Sequence, residues 1–261
     1  MFIKKESLTK IFFATDIHGS EKCWRKLVNT GAFYDLDIII LGGDITGKGT
    51  LAIVEERPGA WHTNFLGQDV WAEDSDSLAA LESRARNTGF YPYQLSVEEM
   101  KEFNASTEYR ERIFQQLVTL SIKGWLEIAE TKLKGTERRI IVTAGNDDPH
   151  FVDELFKQSS VVNFAEGQVI MLDENHEMMN EGSSNPTPWN THRELNEEDL
   201  YRVLKNQVEQ LKDVKNSVFN IHVPPYGSRL DDAPKLDARQ RPVDGGQTME
   251  SVGSTAVKKI I

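Results

Sequence analysis

The sequence contains one cysteine, Cys23, among its 261 residues. A single thiol excludes an intrachain disulfide and a thiolate metal cluster, so any metal site must use other donor groups. Long apolar runs are also missing, since no stretch approaches the ~20 apolar residues of a membrane-spanning helix. The apolar run that starts at Ile11 is too short for a secretory signal and is followed closely by Asp16. These absences predict a cytoplasmic protein without a membrane segment.

An excess of basic charge is missing as well. The chain has 30 Lys and Arg against 41 Asp and Glu, a net charge of -11. This balance argues against broad nucleic-acid binding, which depends on phosphate neutralisation, although a local metal site could still attract a phosphate group. The composition, 39% hydrophobic and 27% charged, is typical of a globular chain. The length fits one domain, or one core that carries an insertion.

The first and last thirds of the chain contain short apolar runs that are typical of buried strands. The segment between the first two runs is typical of a helix, with Ser20 as its cap, Trp24 on its apolar face and Gly31 as its stop. Strand, helix and strand in this order predict a parallel sheet with a right-handed crossover, and hence an α/β fold. The four runs begin at Ile11, Ile38, Ile140 and Val218.

The middle third has a different pattern. From 74 to 134 the spacing of Leu78, Leu81 and Ala85, and later of Ile113, Leu117 and Leu120, predicts helices, and strand signals disappear. We therefore expect a helical insertion between core strands, with one end over the site. Two further strands are predicted near 161–163 and 169–172, a helix over 200–211, and long loops over 182–196 and 224–246.

Each of the four apolar runs is followed by side chains that can bind a hard or borderline metal. Because the carboxyl ends of parallel strands share one edge of a sheet, we expect these groups to converge. Oxygen and imidazole donors suit Mn, Fe or Zn, and a carboxylate such as that of Asp44 can bridge two ions. The groups are Asp16 and His18, Asp44, Asn146 with Asp147 and Asp148, and His222.

Each of these motifs taken alone has an ordinary alternative. Asp-x-His after a strand is typical of a cap, Gly-Asn-Asp-Asp of a turn, and an isolated His222 of a packed core histidine. The segment from Gly42 to Lys48 also has the spacing of a phosphate-binding P-loop, but Gly49 stands where a Ser or Thr should be. His62, His150, His176 and His192 are interpreted as solvated loop histidines. Arg193 could reach a substrate phosphate, with a surface salt bridge as the favoured alternative.

Taken together, the motifs resemble the signature of the calcineurin-like metallophosphoesterases: Asp-x-His, Gly-Asp, Gly-Asn-His-Asp/Glu, an isolated His, and Gly-His-x-His. The resemblance covers residues 11 to about 225 and includes four of the five blocks. It implies the calcineurin-like phosphoesterase fold, with central β-sheets flanked by helices, and two divalent metal ions. It also implies hydrolysis of a phosphomonoester or phosphodiester in a small phosphorylated substrate. The implied metal ligands are Asp16, His18 and Asp44 for one ion, and Asp44, Asn146 and His222 for the other.

The chain departs from this signature at two points. Asp147 stands where the family has the histidine that acts at the leaving group, so Asp147 is the implied catalytic residue. Because a carboxylate is a poorer proton donor than a histidine here, we expect poor catalysis of substrates with poor leaving groups. The Gly-His-x-His block is absent, and His222 is the last histidine. We therefore expect residues 1–261 to be one metallophosphoesterase domain that lacks its C-terminal end, with a naturally incomplete site as the alternative. We also expect the absence of this block to impair catalysis by the chain.

Two other functions remain open at this point. One is a catalytically silent member of the family that serves as a binding scaffold. The other is a nuclease, which would require a basic stripe that we do not find in the sequence.

Overall fold

The computed structural model describes residues 8–261 as a mixed α/β fold, in which parallel and mixed sheets are flanked by helices. The strands are β1 (Ile11–Ala14), β2 (Ile38–Gly42), β3 (Gly49–Arg57), β4 (Ala60–Phe65), β5 (Gln68–Ala72), β6 (Phe90–Ser96), β7 (Arg139–Thr143), β8 (Val162–Phe164), β9 (Val169–Met171), β10 (Glu177–Glu181), β11 (Ser217–Ile221), β12 (Asp232–Pro234) and β13 (Met249–Ser251). The α-helices are α1 (Glu21–Phe33), α2 (Ser75–Asn87), α3 (Val97–Ala105), α4 (Thr107–Leu133), α5 (Val152–Lys157), α6 (Glu197–Val208) and α7 (Thr255–Ile260).

The first sheet is parallel throughout and has the strand order β1-β2-β7-β8. Its strand β2 is buried along its whole length, and alternate side chains serve opposite faces. Ile39 and Leu41 pack with α1 and α4 on one face, whereas Ile38 and Ile40 pack towards a second sheet on the other. Burial on both faces explains why this run is continuously apolar. The predicted strand, helix and parallel strand are confirmed.

The second sheet has the order β9-β10-β11, with β10 parallel to β11 and antiparallel to β9. Met178 of β10 faces the first sheet, and Met179 faces the core beneath α6 and α7. The layers are therefore helix, sheet, sheet and helix. The strand before His222 belongs to this second sheet, so the prediction that all four strands share the edge of one sheet is wrong.

The segment before and within the predicted insertion forms a third sheet, with the order β5-β4-β3-β6. The prediction that strands are absent over 74–134 is wrong at β6, although α2, α3 and α4 are helical there. β6 pairs in parallel with β3, and Leu51 and Ile53 of β3 pack on Leu78 and Leu81 of α2. β3 and the two hairpins that follow it were not predicted. Their turns at Pro58–Gly59 and Leu66–Gly67, with positive φ at Gly59 and Gly67, are the signal that could have revealed them.

The long helix α4 packs against α1 and belongs to the main core. The Trp24 ring stacks on Trp125, with a centroid distance of 5.3 Å, and its Nε1 donates to the Trp125 carbonyl at 2.9 Å. Ile113 is buried as predicted, but Leu120 is 67% exposed, so that part of the prediction is wrong. The buried side of α4 carries Val118 and Ile122, which pack in the main core, and Leu120 does not lie on that side.

The last described elements are the hairpin of β12 and β13 and the short helix α7. Ser254 caps α7 as predicted, because its Oγ accepts hydrogen bonds from the amides of Ala256 and Val257. Within residues 8–261, no helix combines the length and the apolar character that crossing a membrane requires.

Candidate metal centre

The loop after β1 carries Asp16 and His18 in an unusual backbone conformation. The φ angle is 56° at Asp16 and 40° at His18, and residues other than glycine rarely adopt positive φ. The Asp16 amide donates to the Gly43 carbonyl at 3.0 Å, and the His18 amide donates to the Asp44 carbonyl at 2.9 Å. These bonds fix the loop against the one after β2. Strain held in place by neighbouring structure is typical of functional sites.

Asp44 lies at the centre of the cluster and is 7% exposed. Its Oδ2 lies 3.7 Å from His18 Nε2, and its Oδ1 lies 3.3 Å from His222 Nε2. His18 Nε2 also lies 3.6 Å from Asp16 Oδ1. The two oxygens of one carboxylate therefore face two separate groups of donor atoms.

Asn146 and His222 complete the second group. Asn146 follows β7 in the first sheet, His222 follows β11 in the second, and Asn146 Oδ1 lies 3.1 Å from His222 Nε2. The Asn146 amide nitrogen donates to Thr191 Oγ1 at 2.7 Å, which turns its oxygen towards the cluster. The structure thus brings together all five side chains expected at the metal site, and their role as ligands stays a prediction.

Two glycines allow the three loops to approach each other closely. A Cβ on Gly43, which has φ of 115°, would lie 2.6 Å from His222 Nδ1. A Cβ on Gly145 would lie 2.2 Å from Asp44 Oδ1. Neither contact is possible for real atoms, so the donor set depends on glycine at both positions.

Asp148 supports the cluster without facing it. This fully buried carboxylate accepts hydrogen bonds from the amides of Gly145, Ile45 and Thr46 and from Thr46 Oγ1. Burial raises its pKa, while the backbone hydrogen bonds act in the opposite direction. Asp148 therefore ties the loop after β7 to the loop after β2.

The electrostatics of the cluster favour a bound cation. The pairing of His18 with Asp16, whose Oδ1 lies 3.6 Å from His18 Nε2, lowers the pKa of Asp16 and raises the pKa of His18. Burial opposes protonation of His222, but the Asp44 carboxylate, whose Oδ1 lies 3.3 Å from His222 Nε2, raises the pKa of His222 to about 9. The pKa values of His18 and His222 are raised for the same reason, because carboxylate charge surrounds both imidazole rings.

The hydrogen bonds of His222 provide a further test of whether the site suits a metal. Its Nδ1 lies 3.1 Å from the Gly42 carbonyl oxygen, and because a carbonyl only accepts, Nδ1 carries a proton. Its Nε2 then faces two acceptor oxygens, Asp44 Oδ1 and Asn146 Oδ1. A proton or a metal ion must lie among these atoms. A ligand histidine whose other ring nitrogen donates to a backbone carbonyl is typical of metal sites, so this donor set fits a divalent ion.

Asp147 lies at the rim of the cluster, with its Oδ2 4.0 Å from His18 Nδ1. Burial and the charge of Asp44 raise its pKa. It lines a cavity of about 410 Å³ together with Lys48, Arg110 and His192. Phe103 of α3 and Phe114 of α4 line the same cavity, so these helices do reach the edge of the site.

The segment 191–194 supports the site, although its sequence does not predict this role. Arg193 is 6% exposed and does not form the surface salt bridge that was expected. It pairs with Asp153 and donates to the carbonyls of Asp148 and Pro149, and its own amide donates to the Asn146 carbonyl. The Asn-Thr-His-Arg sequence before Glu194 gives no periodic signal, so only the tertiary contacts reveal this role.

The P-loop alternative is excluded by the local structure. A phosphate-binding loop of that kind leads into a helix, whereas Lys48 leads into strand β3. Backbone amides of the segment from Gly42 to Lys48 are also already hydrogen-bonded within the protein. Gly47 N–H donates to Tyr91 Oη at 2.8 Å, and Lys48 N–H donates to the Gly89 carbonyl at 2.8 Å.

Comparison with known proteins adds little to this geometry. No family model and no curated protein matches the chain. A solved crystal structure is similar with a TM-score of 0.47 and 13% sequence identity, over 97% of this chain and 79% of that chain.

Proposed function

We propose that this chain is a metal-dependent phosphoesterase with the calcineurin-like fold. In this proposal it hydrolyses a phosphomonoester or phosphodiester bond in a small phosphorylated substrate, in the cytoplasm. The observation that carries the proposal is the position of Asp44, whose two carboxylate oxygens face His18 and His222 separately. That arrangement suits two divalent ions, Mn, Fe or Zn, held by Asp16, His18 and Asp44 and by Asp44, Asn146 and His222.

Bound divalent ions would supply Lewis acidity, which lowers the pKa of water and neutralises phosphoryl charge. The residues of the chain would hold the donor atoms in place. The Gly42 carbonyl orients His222, Thr191 orients Asn146, and the backbone of Gly43 and Asp44 orients Asp16 and His18. Asp147, beside His18, is the residue that we assign to the leaving-group oxygen. Ligands fixed in advance reduce the reorganisation that in-line attack would require.

Asp147 also favours a second candidate function, that of a catalytically silent binding scaffold. A carboxylate next to cations is a poor proton donor, so the chain could bind metal and phosphate without turnover. The two functions differ in one measurement, the hydrolysis of an activated ester that needs no proton donor.

The test is hydrolysis of bis(4-nitrophenyl) phosphate by the chain with Mn²⁺, beside Asp44→Ala and His222→Ala. We expect measurable turnover, and at least about a hundredfold loss in each variant, because either change removes a donor that positions the reacting groups. His176→Ala is the matched control, since His176 lies in the turn between β9 and β10.

We expect His176→Ala to keep full turnover. Mn²⁺ binding measured by calorimetry separates the two candidate functions. Binding that depends on Asp44 without any turnover supports the scaffold, whereas equal binding by wild type and Asp44→Ala contradicts both.

A further inference from the structure

A cleft of about 1040 Å³ opens directly beside the candidate metal centre. Asp16, Asp44, Asn146 and His222 line one part of it. The loop from Ser184 to Trp189 and the segment from Val223 to Thr255 line the rest. A group bonded to a phosphorus atom at the centre would therefore extend into this cleft.

The surface of the cleft away from the centre is largely apolar. Trp189, Tyr226 and Val252 line it although they are 66%, 44% and 48% exposed. Large apolar side chains left open to solvent beside a candidate centre are typical of a ligand site. Five prolines add to the apolar lining and limit backbone motion: Pro186, Pro188, Pro224, Pro234 and Pro242.

The cleft is also held in shape without a ligand. Glu194 accepts hydrogen bonds from the amides and hydroxyls of Thr187 and Thr191, which fixes the loop that carries Trp189. Two bonds connect this loop to the opposite side: Asn185 Nδ2 donates to the Val252 carbonyl, and Gln240 Nε2 donates to the Pro188 carbonyl. A preformed site loses less entropy when it binds.

The charge of the lining disfavours an anionic group. Glu197, Asp237 and Glu250 line the cleft, and among residues 8–261 no Lys or Arg does. Arg241 pairs with Asp237, and Glu197 accepts from the amides at the start of α7. Glu250 is exposed and forms no ion pair among the described residues, so it adds a negative charge to the lining.

We infer that this cleft binds an uncharged aromatic group of the phosphoester substrate, in contact with Trp189 and Tyr226. The inference rests on the proposed phosphoesterase function and names its substrate class. A polyphosphate or a nucleic-acid strand would bring further negative charge against Glu250, so both are disfavoured. An aromatic ring gains area burial against both side chains and stacking on the exposed Trp189 ring, while Lys258 Nζ lies over the Tyr226 ring, 5.5 Å from its centroid.

The first experiment uses the Mn²⁺-loaded chain and calorimetry. Phenylphosphonate and methylphosphonate carry the same anionic group, and the phenyl ring of the first is replaced by a methyl group in the second. We expect phenylphosphonate to bind at least about tenfold more tightly, as burial of a ring with stacking implies. Trp189→Ala should bring this ratio close to one. Trp71→Ala is the matched control, because Trp71 is 52% exposed and lies on β5, and it should keep the ratio.

The second experiment uses the metal-free chain, so that its outcome does not depend on the proposed centre. We expect 2-naphthol to bind more tightly than 2-naphthoate, which adds one negative charge to the same rings. Trp189→Ala should weaken 2-naphthol binding by about fivefold to tenfold, and Trp71→Ala by less than about twofold.

The outcomes separate this inference from the function on which it rests. Equal binding of the two phosphonates, or of naphthol and naphthoate, overturns the aromatic cleft even when the chain turns over bis(4-nitrophenyl) phosphate. Selective binding of naphthol that needs Trp189, in a chain without metal-dependent turnover, supports the cleft and overturns the phosphoesterase proposal. A Trp71→Ala effect as large as that of Trp189→Ala also overturns the cleft.

Discussion

At the scale of single residues, the candidate centre depends on how closely three loops approach Asp44. The Asp44 side chain is buried, it touches the loops that carry His18 and His222, and the Asp147 amide donates to its Oδ1 at 3.1 Å. No larger residue than glycine fits at Gly145, beside the same oxygen. The geometry of the donor atoms is therefore set by packing as much as by the donors themselves.

Gly145→Ala should damage the centre without changing any donor. The new Cβ would lie 2.2 Å from Asp44 Oδ1, so Asp44 must move. We expect at least about tenfold weaker Mn²⁺ binding and a loss of roughly 1–3 kcal/mol in unfolding free energy, as overpacking implies. Calorimetry and thermal unfolding measure both.

Gly124→Ala is the matched control, because Gly124 lies inside α4 and a Cβ there would contact nothing within 4 Å. This change should stabilise the chain by about 0.5–1 kcal/mol and leave Mn²⁺ affinity unchanged. A loss of affinity in both variants would contradict the steric explanation.

Asp147→His should change which leaving groups are tolerated. Bound cations lower the pKa of a neighbouring carboxyl, so Asp147 is a poor proton donor, whereas a histidine titrates near neutral pH. Turnover of alkyl phosphoesters should rise by about tenfold relative to 4-nitrophenyl esters. Asp147→Asn is the control and should give no such rise. An equal effect of Asp147→His on both substrate groups would place residue 147 away from the leaving group.

At the scale of secondary-structure elements, the loops between strands carry both the site and its support. The third sheet supports the loop after Asp44, because Tyr91 of β6 accepts a hydrogen bond from Gly47. Glu194 holds the loop from Thr187 to Thr191, and although desolvation acts against this, hydrogen bonds from both threonines lower its pKa to about 2. The elements next to the centre therefore stabilise its loops, independently of any role as a lid.

The junction between β8 and β10 contains a carboxyl group that makes stability depend on pH. Glu166 Oε1 accepts from the Gly182 amide, and its buried Oε2 has no hydrogen-bond partner among the described residues. Burial and the charge of Glu181 raise its pKa from 4.5 to about 8. The folded chain therefore keeps a proton that the unfolded chain releases above pH 4.5, so stability falls as pH rises through 8.

Glu166→Gln should remove this pH dependence. We expect the variant to equal wild type near pH 4.5 and to be more stable by roughly 1–3 kcal/mol at pH 9, because a neutral amide has no charge to bury. Denaturant unfolding at both pH values measures the difference. The exposed Glu174→Gln is the control and should follow wild type throughout. A variant that is less stable at pH 9 would contradict the raised pKa of Glu166.

At the scale of the whole molecule, the candidate centre joins two sheets. Asp16, Asp44 and Asn146 follow strands of the first sheet, and His222 follows a strand of the second. The sheets also meet through apolar side chains such as Ile40 and Met178, and Thr143 of the first sheet is hydrogen-bonded to Asn180 and Asn220 of the second. An ion held by donors from both sheets would therefore stabilise the packing of one sheet on the other.

Mn²⁺ should accordingly raise the thermal stability of the whole chain. At a concentration about a hundredfold above the Kd, binding adds ~2.7 kcal/mol, which corresponds to a Tm increase of roughly 5–10 °C for a chain of this size. Differential scanning calorimetry measures the shift, which Asp44→Ala should abolish. The same shift in Asp44→Ala would mean that the ion binds elsewhere.

Local patterns in the chain were sufficient to predict the parallel strands and the identity of the clustered side chains. Ile38 to Leu41 form a continuous apolar run because both faces of β2 are buried, and polar groups follow such strands where the sheet ends. Asp16, His18, Asp44, Asn146 and His222 could therefore be named among the polar groups that follow such strands, and the resemblance to the metallophosphoesterases implied that these five are the ligands. The signal is strongest in β2 and β7, where burial constrains nearly every residue, whereas Phe13 of β1 and Val218 of β11 are exposed.

Contacts between distant segments decided the rest. Strand β11 lies in a second sheet, Leu120 is exposed while Val118 is buried, and Arg193 supports Asn146 from a loop without any pattern. In each case the local sequence permits more than one arrangement, such as burial of Leu120 or of Val118 in α4, and packing against another element selects one. The aromatic cleft is the clearest example, because Trp189 and Tyr226 are far apart in sequence and only the fold places both beside the centre.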